Sequence, residues 1–407
     1  MDRASLRGLG RTRGYRGFVA AATLARVADE MFSVGVVLLV LDRTDSAVLA
    51  GATVAAVTLP SLVTGPLLGA YMDLTGKRRT LMLVDQLLMT TSLAAILLLA
   101  GNAPDVLLPV AALLGGLTYP LSFGGFSSLI SVIVPARLLE PANAIEVSSF
   151  NSALVLGPAF AGGLSAAVCP AAPVVVEIVL TLAALVLIAR IPNLDSPRER
   201  DGRSLVGVAV TGLKLIVRSP PLRSITAAGS LGLGGLGLLT VAFPFYAVEH
   251  LDTDRGAAGL MWAAFAIGSM AGALGLVRIQ RRFEPERIVL VSLAVFGACM
   301  LLWPLQTDLV PLLAVIALAG LMDGPGLAAT FATRQRHVPS ELHGLLFTTA
   351  VGLKVGSLAL GAAVAGPIVI AVGSDVTLLI AAGMQFVAVA AGAALGARTI
   401  SPALPAR

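Results

Sequence analysis

The residues able to do chemistry here are charged groups set inside apolar runs. Arg26, Asp29 and Glu30 share one such run, Phe18 to Leu41. On a helix they stand at i, i+3 and i+4, so the arginine is one turn from both acids and can pair with either. Asp323 lies among Gly320, Gly324, Pro325 and Gly326, and Lys354 lies about eleven residues into the run that opens near 343. In an apolar surrounding an ionised group is costly, so such a residue is either neutralised by a neighbour or used. The structural readings are a self-neutralising triad for Arg26, Asp29 and Glu30, a polar kink for Asp323, and a counter-charge for Lys354. The functional reading makes all five coupling or cavity residues. Asp85, Glu146 and Glu177 sit nearer the ends of their runs, within reach of solvent, and read as structural.

Other chemistries lack their residues. Cys169 and Cys299 are too few for a thiolate cluster, and His250, His337 and His343 leave little for a metal site. No group of histidines, cysteines and carboxylates gathers at one face, so no catalytic residue is assigned and an enzyme is not expected. No Gly-x-x-x-x-Gly-Lys-Ser/Thr loop occurs, so neither nucleotide nor other cofactor is expected.

The elements that must position these charges are dictated by solvent. The chain has 407 residues, 57% hydrophobic and only 13% charged. A soluble domain holds roughly a quarter charged residues. Twelve apolar stretches fit a helical crossing of about 20 residues: 18–41, 47–71, 80–101, 106–133, 142–168, 173–191, 222–248, 257–277, 287–305, 309–332, 343–371 and 376–397. Unbroken runs of this kind are helices; a barrel strand would alternate. The first stretch resembles a secretory leader after its five arginines, but Arg26, Asp29 and Glu30 and its length make it a retained span. Asp29 and Glu30 then lie roughly 17 Å from Phe18, about the middle of a ~30 Å core.

Basic residues orient the spans. With the N-terminus inside, 24 of the 28 Lys and Arg fall in inner segments, and only Arg43 and Arg255 fall outside. That asymmetry predicts cytoplasmic termini and a plasma-membrane, multi-pass protein. It also accounts for the net charge of +5, so nucleic-acid binding is not expected. The bias of 25 Arg to 3 Lys with abundant Ala points to a GC-rich bacterial genome.

One long polar interval, 192–221, divides the spans six and six and predicts halves 1–191 and 222–407. Within it, 205–217 has apolar residues at helical spacing and reads as a short helix on the membrane surface. Sliding the chain by 204 residues aligns 134–163 with 338–367 without gaps, with ten of thirty positions identical. Span five therefore corresponds to span eleven, and the halves are parallel repeats.

Two short motifs make this more specific. After span two the chain reads Gly69, Asp73, Gly76, Lys77, Arg78, Arg79. Gly69 permits close helix approach, Gly76 a tight turn, and Asp73 suits a helix N-terminus. Span five carries Gly157, Pro158, Gly162 and Gly163, where proline bends a helix and glycines let neighbours approach. Both motifs resemble the major facilitator superfamily: the first its gating signature between spans two and three, the second the span-five motif of its exporters. Leu74 departs from the basic residue usual after the acid, and Ala161 from a paired glycine. The opening Arg26 to Phe32, the run Leu41 to Ser46, and Thr58, Pro60, Gly65 and Pro66 resemble its twelve-span drug and macrolide exporter branch.

This resemblance implies an all-α fold of two six-helix bundles with a cavity between them. It implies a secondary transporter exporting hydrophobic or amphipathic small molecules by proton antiport and alternating access. A proton crossing 100 mV supplies about 2.3 kcal/mol. A nutrient importer, a siderophore exporter and a lipid flippase share this topology; a polytopic membrane enzyme does not fit the residues. The partners expected are a small-molecule substrate and the bilayer.

Overall fold

The computed structural model describes residues 8–191, 205–275, 282–338 and 343–396. The described residues contain helices and no strand. The first half comprises α1 (Tyr15–Thr44), α2 (Ala47–Thr58), α3 (Ser61–Thr75), α4 (Arg78–Leu99), α5 (Leu107–Gly116), α6 (Phe126–Ile133), α7 (Leu139–Ala167) and α8 (Ala172–Arg190). A short connector, α9 (Leu205–Arg218), follows. The second half comprises α10 (Pro220–Leu251), α11 (Ala257–Gly275), α12 (Pro285–Met300), α13 (Leu309–His337), α14 (His343–Val372) and α15 (Ser374–Gly396). Paired across Pro60, α2 and α3 form one crossing; α5 and α6, joined by a π turn at Leu121–Gly125, form another. Twelve crossings result among the described residues.

The helices end where their sequence demands. Ser46 caps α2, its Oγ accepting from the Leu49 N–H at 3.2 Å. Gly76 closes α3 at φ 66°, and Asp45 and Asp252 close α1 and α10 in the same left-handed region. Those two aspartates occupy matching places in the two halves. Prolines begin α8, α10 and α12, where a missing N–H costs nothing.

Among the described residues, eight helical segments are long and apolar enough to cross a membrane, by length and composition. Large apolar side chains lie open on the surface, with Val310 77%, Leu305 71% and Leu98 70% exposed. Such a belt is stable against acyl chains and unstable in water.

The halves meet along two seams, α2–α3 against α14 and α7 against α11. Backbone contacts close both. Gly162 of α7 meets Gly259 of α11, where a Cβ on either would lie about 2 Å from the other's Cα. Gly366 of α14 meets Ala47 of α2 in the same manner. Gly157 packs on α1 at Glu30, and Gly361 packs on α10 at Gly234. Under the 204-residue offset, Gly162 and Gly366 correspond, and so do Gly157 and Gly361. The repeat read in the sequence is thus a repeat of close-packing sites.

The apolar core reports the conformation. At the end holding Asp45 and Arg255, one continuous cluster runs across both halves, from Val36 and Val57 to Phe243, Met261 and Ala365. At the other end the core splits in two. One cluster around Phe18, Phe126 and Ile188 belongs to the first half; another around Ile225, Val289 and Leu346 belongs to the second. The buried apolar core is continuous between the halves at one end, the sealed end, and divided between them at the other, the parted end.

Candidate functional site

The charged residues of the first half converge on α1. Arg26 is 1% exposed, and its Nη2 donates to Glu146 Oε1 of α7 in a buried ion pair. Phe126 and Phe150 each lie 5.9 Å from the guanidinium carbon, so the cation also rests between two aromatic faces. The partner therefore differs from the acids one turn away. Asp29 and Glu30 are on the same helix, but Glu146, 120 residues distant in sequence, takes the guanidinium. Asp29 is 3% exposed and faces Asp85, Ser122, Glu30 and Arg26. Its Oδ2 has no hydrogen-bond partner among the described residues. Glu30 is half-buried where Gly157 of α7 packs on its backbone.

Asp85 of α4 accepts hydrogen bonds from Ser122 Oγ at 3.0 Å and Gln86 Nε2 at 2.9 Å. Ser122 belongs to the π turn in the fourth crossing. An extra residue per turn there swings its hydroxyl toward α4, and such turns recur at functional sites. Asp85, Glu146 and Glu177 were expected within reach of solvent. They are 1%, 9% and 0% exposed, because neighbouring helices cover them. Their residue type inside apolar runs was the available signal, and distance from the run ends was the wrong measure.

The second half carries a smaller constellation. Asp323 of α13 accepts from Ser269 Oγ of α11 at 3.0 Å. Lys354 of α14 lies across Gly229 of α10, where a Cβ would come within 3.4 Å of its Cε. Asp323 and Lys354 interact electrostatically and line one cavity of about 60 Å³ with Ser292, Thr330 and Gln385. That space holds a few waters. The site residues thus form two groups, one per half, rather than a single cluster.

The motif from Gly69 to Arg79 lies at the parted end. Gly76 takes the left-handed turn, Lys77 precedes α4 exposed, Arg78 is buried, and Arg79 donates to the Ala189 carbonyl of α8. Asp73 falls in the last turn of α3, and its side chain lies outside the described residues. The second-half counterpart, Gly272 to Phe283, has residues 276–281 outside the described residues. Of the span-five motif, Gly157 and Gly162 make the backbone contacts given above and Pro158 is buried, whereas Gly163 faces open space. Cys169 is exposed and Cys299 half-buried, both free.

Comparison with known proteins agrees with this architecture. The chain is 30% identical over 375 residues to the uncharacterized MFS-type transporter y4rN of Sinorhizobium fredii, covering 90% of this chain and 91% of that protein. It is 27% identical over 354 residues to the multidrug efflux pump Tap of Mycolicibacterium fortuitum, covering 84% and 85%. The crystal structure of the nucleoside transporter NupG superimposes with TM-score 0.68 at 13% identity, over 94% of this chain and 100% of that one. The sequence model of the Major Facilitator Superfamily matches residues 18–351. Twelve helical crossings in two halves, the paired glycine seams and this match together establish that the chain is a multi-pass membrane transporter belonging to the major facilitator superfamily.

Proposed function

We propose that the protein is a proton-driven exporter of hydrophobic or amphipathic small molecules. The observation that carries this reading is the midplane group Asp29, Glu30 and Asp85, set beside a separately neutralised Arg26–Glu146 pair. A carboxyl in such a place can take up and release a proton as its access to water alternates. Similarity to Tap, named a multidrug efflux pump, supports export of drug-like small molecules. The charge asymmetry puts both termini and the parted end in the cytoplasm of a bacterial cell. The conformation is then inward-facing, with the divided end of the core toward the cytoplasm.

Halves 1–191 and 222–407 rock about the glycine seams, and Asp73 latches the cytoplasmic helix ends in one access state. Protonation of Asp29 or Glu30 biases the halves toward one state and deprotonation toward the other. Asp323 and Lys354 serve as the second half's polar lining. No cofactor takes part; the proton gradient is the energy source.

Everted vesicles test this with two fluorescent dyes, cationic ethidium and neutral Nile red. An energised parent should accumulate at least one dye and lose it on adding an uncoupler. Asp29→Asn and Glu30→Gln are made singly. At least one should lower gradient-driven transport about a hundredfold, the scale of a lost proton-transfer group, while dye binding persists. Asp73→Ala should slow transport with the protein still in the membrane. Parent-like pumping and pH dependence in both neutral variants would move the coupling site elsewhere.

A further inference from the structure

The first half holds an acid that this coupling reading leaves unused, and α1 shows where it stands. Arg26 meets Glu146. Asp29, one turn on, faces Asp85 and the Ser122 hydroxyl. Gly35, six residues and about 9 Å nearer the sealed end, receives Glu177 of α8. A Cβ on Gly35 would lie 2.6 Å from Glu177 Oε1, so only glycine lets this carboxyl lie against the α1 backbone. Glu177 is 0% exposed, and neither of its oxygens has a hydrogen-bond partner among the described residues. A structural glutamate in apolar surroundings finds donors, as Glu146 does. An ionised carboxyl with none is among the costliest of side-chain placements, and a proton removes that cost.

The neighbours supply continuity. Glu177 interacts electrostatically with Asp29, and Tyr119 of the fourth crossing with Glu177, Asp29, Glu30 and Asp85. The Ser122 hydroxyl bonds Asp85 and faces Asp29. Of the titratable groups on elements packed around α8, Asp29 and Tyr119 thus face Glu177. Nearer the parted end, Arg26 of α1 pairs with Glu146 of α7, Asp85 of α4 faces Asp29, and Arg79 of α4 donates to the Ala189 carbonyl of α8.

We propose that Glu177 is the outer station of a proton path through the first half, in series with Asp29 and Asp85. The proposal rests on the proton-coupled reading above. When the outer seam opens, a hydronium ion gives its proton to the Glu177 carboxylate and leaves as water. As the halves move, the Tyr119 hydroxyl comes within hydrogen-bond reach of Glu177, accepts its proton and releases its own to the Asp29 carboxylate. Asp29 passes it to the Asp85 carboxylate through the Ser122 hydroxyl in the same way. Asp85 gives it to water at the parted mouth. One proton moves inward, both hydroxyls end unchanged, and no electron is transferred.

The test is ethidium efflux from preloaded intact cells at stepped external pH, with ethidium counterflow in vesicles at equal pH. Glu177→Gln should lose about tenfold or more of gradient-driven efflux and its dependence on external pH, while counterflow keeps the parent rate. Glu177→Asp, which keeps a titratable carboxyl, should restore the pH dependence. A Glu177→Gln protein with the parent's rate and pH profile overturns the proposal. So does equal loss in both variants when both elute as folded protein, since titration would then be irrelevant. Uncoupler-insensitive efflux by the parent instead overturns the proton-coupled reading itself, and that result needs no variant.

Discussion

At the scale of single residues, the decisive fact is which acid holds Arg26. A buried arginine bound by Glu146 and flanked by two phenylalanines is neutralised without Asp29 or Glu30. Those two acids are thereby released from a structural duty that their spacing would have assigned them. The pair itself is a liability if broken. Glu146→Gln leaves a charge in the bundle interior and should cost about 3–5 kcal/mol, read as a fall in thermal midpoint in detergent. The double variant Arg26→Met, Glu146→Met removes both charges and should recover most of that loss. If the double variant is no more stable than the single one, the pair is not the source of the effect.

At the scale of elements, glycine decides how near the halves come. The contact between Gly162 of α7 and Gly259 of α11 is backbone on backbone, so no side chain can move aside to admit a methyl group. Gly162→Ala should strain the sealed outer end by about 1–3 kcal/mol, the usual penalty of overpacking, and favour the outward-facing state. Near that seam Arg255 donates to the Leu41 carbonyl at 3.0 Å and to Asp45 Oδ1 at 2.5 Å, tying the two halves together. A short cross-linker between Asp45→Cys and Arg255→Cys reports the closed end. Its yield should fall severalfold in Gly162→Ala. Gly163→Ala, at a glycine with open space beside it, should leave the yield unchanged.

At the scale of the whole molecule, orientation governs every statement about direction. The 24-to-2 distribution of basic residues predicts that the parted end lies inside. Ser196, outside the described residues but within the long polar interval, is the simplest probe. As a cysteine it should resist impermeant thiol reagents added to intact cells and react once the cells are opened. Ready labelling from outside would invert the molecule. The sealed end would then face the cytoplasm, and the conformation would be the outward-facing one. Apart from orientation, the division of the core matters most here. One cluster bridges the halves at the sealed end, and two separate clusters hold them at the other. A rocking motion can therefore exchange one seal for another without opening either half.

The twelve crossings were legible from composition and run length, and their observed ends fall within a few residues of the expected ones. Apolar length and helical hydrogen bonding are local properties, and in lipid no other backbone solution competes. The short helix expected over 205–217 stands as α9, Leu205–Arg218, because apolar residues at helical spacing are likewise a local property. The turn at Gly76 was legible too, because a left-handed residue before a helix calls for glycine. Lateral contacts were not legible. Which face of α1 meets α7, α4 or α8 depends on how helices pack across more than a hundred residues of chain. Hence Arg26 acquired Glu146, Ser122 reached Asp85 through an unforeseen π turn, and Glu177 came to rest on Gly35. A span shows that it carries a charge inside the membrane. Only the packed bundle decides whether that charge is paired.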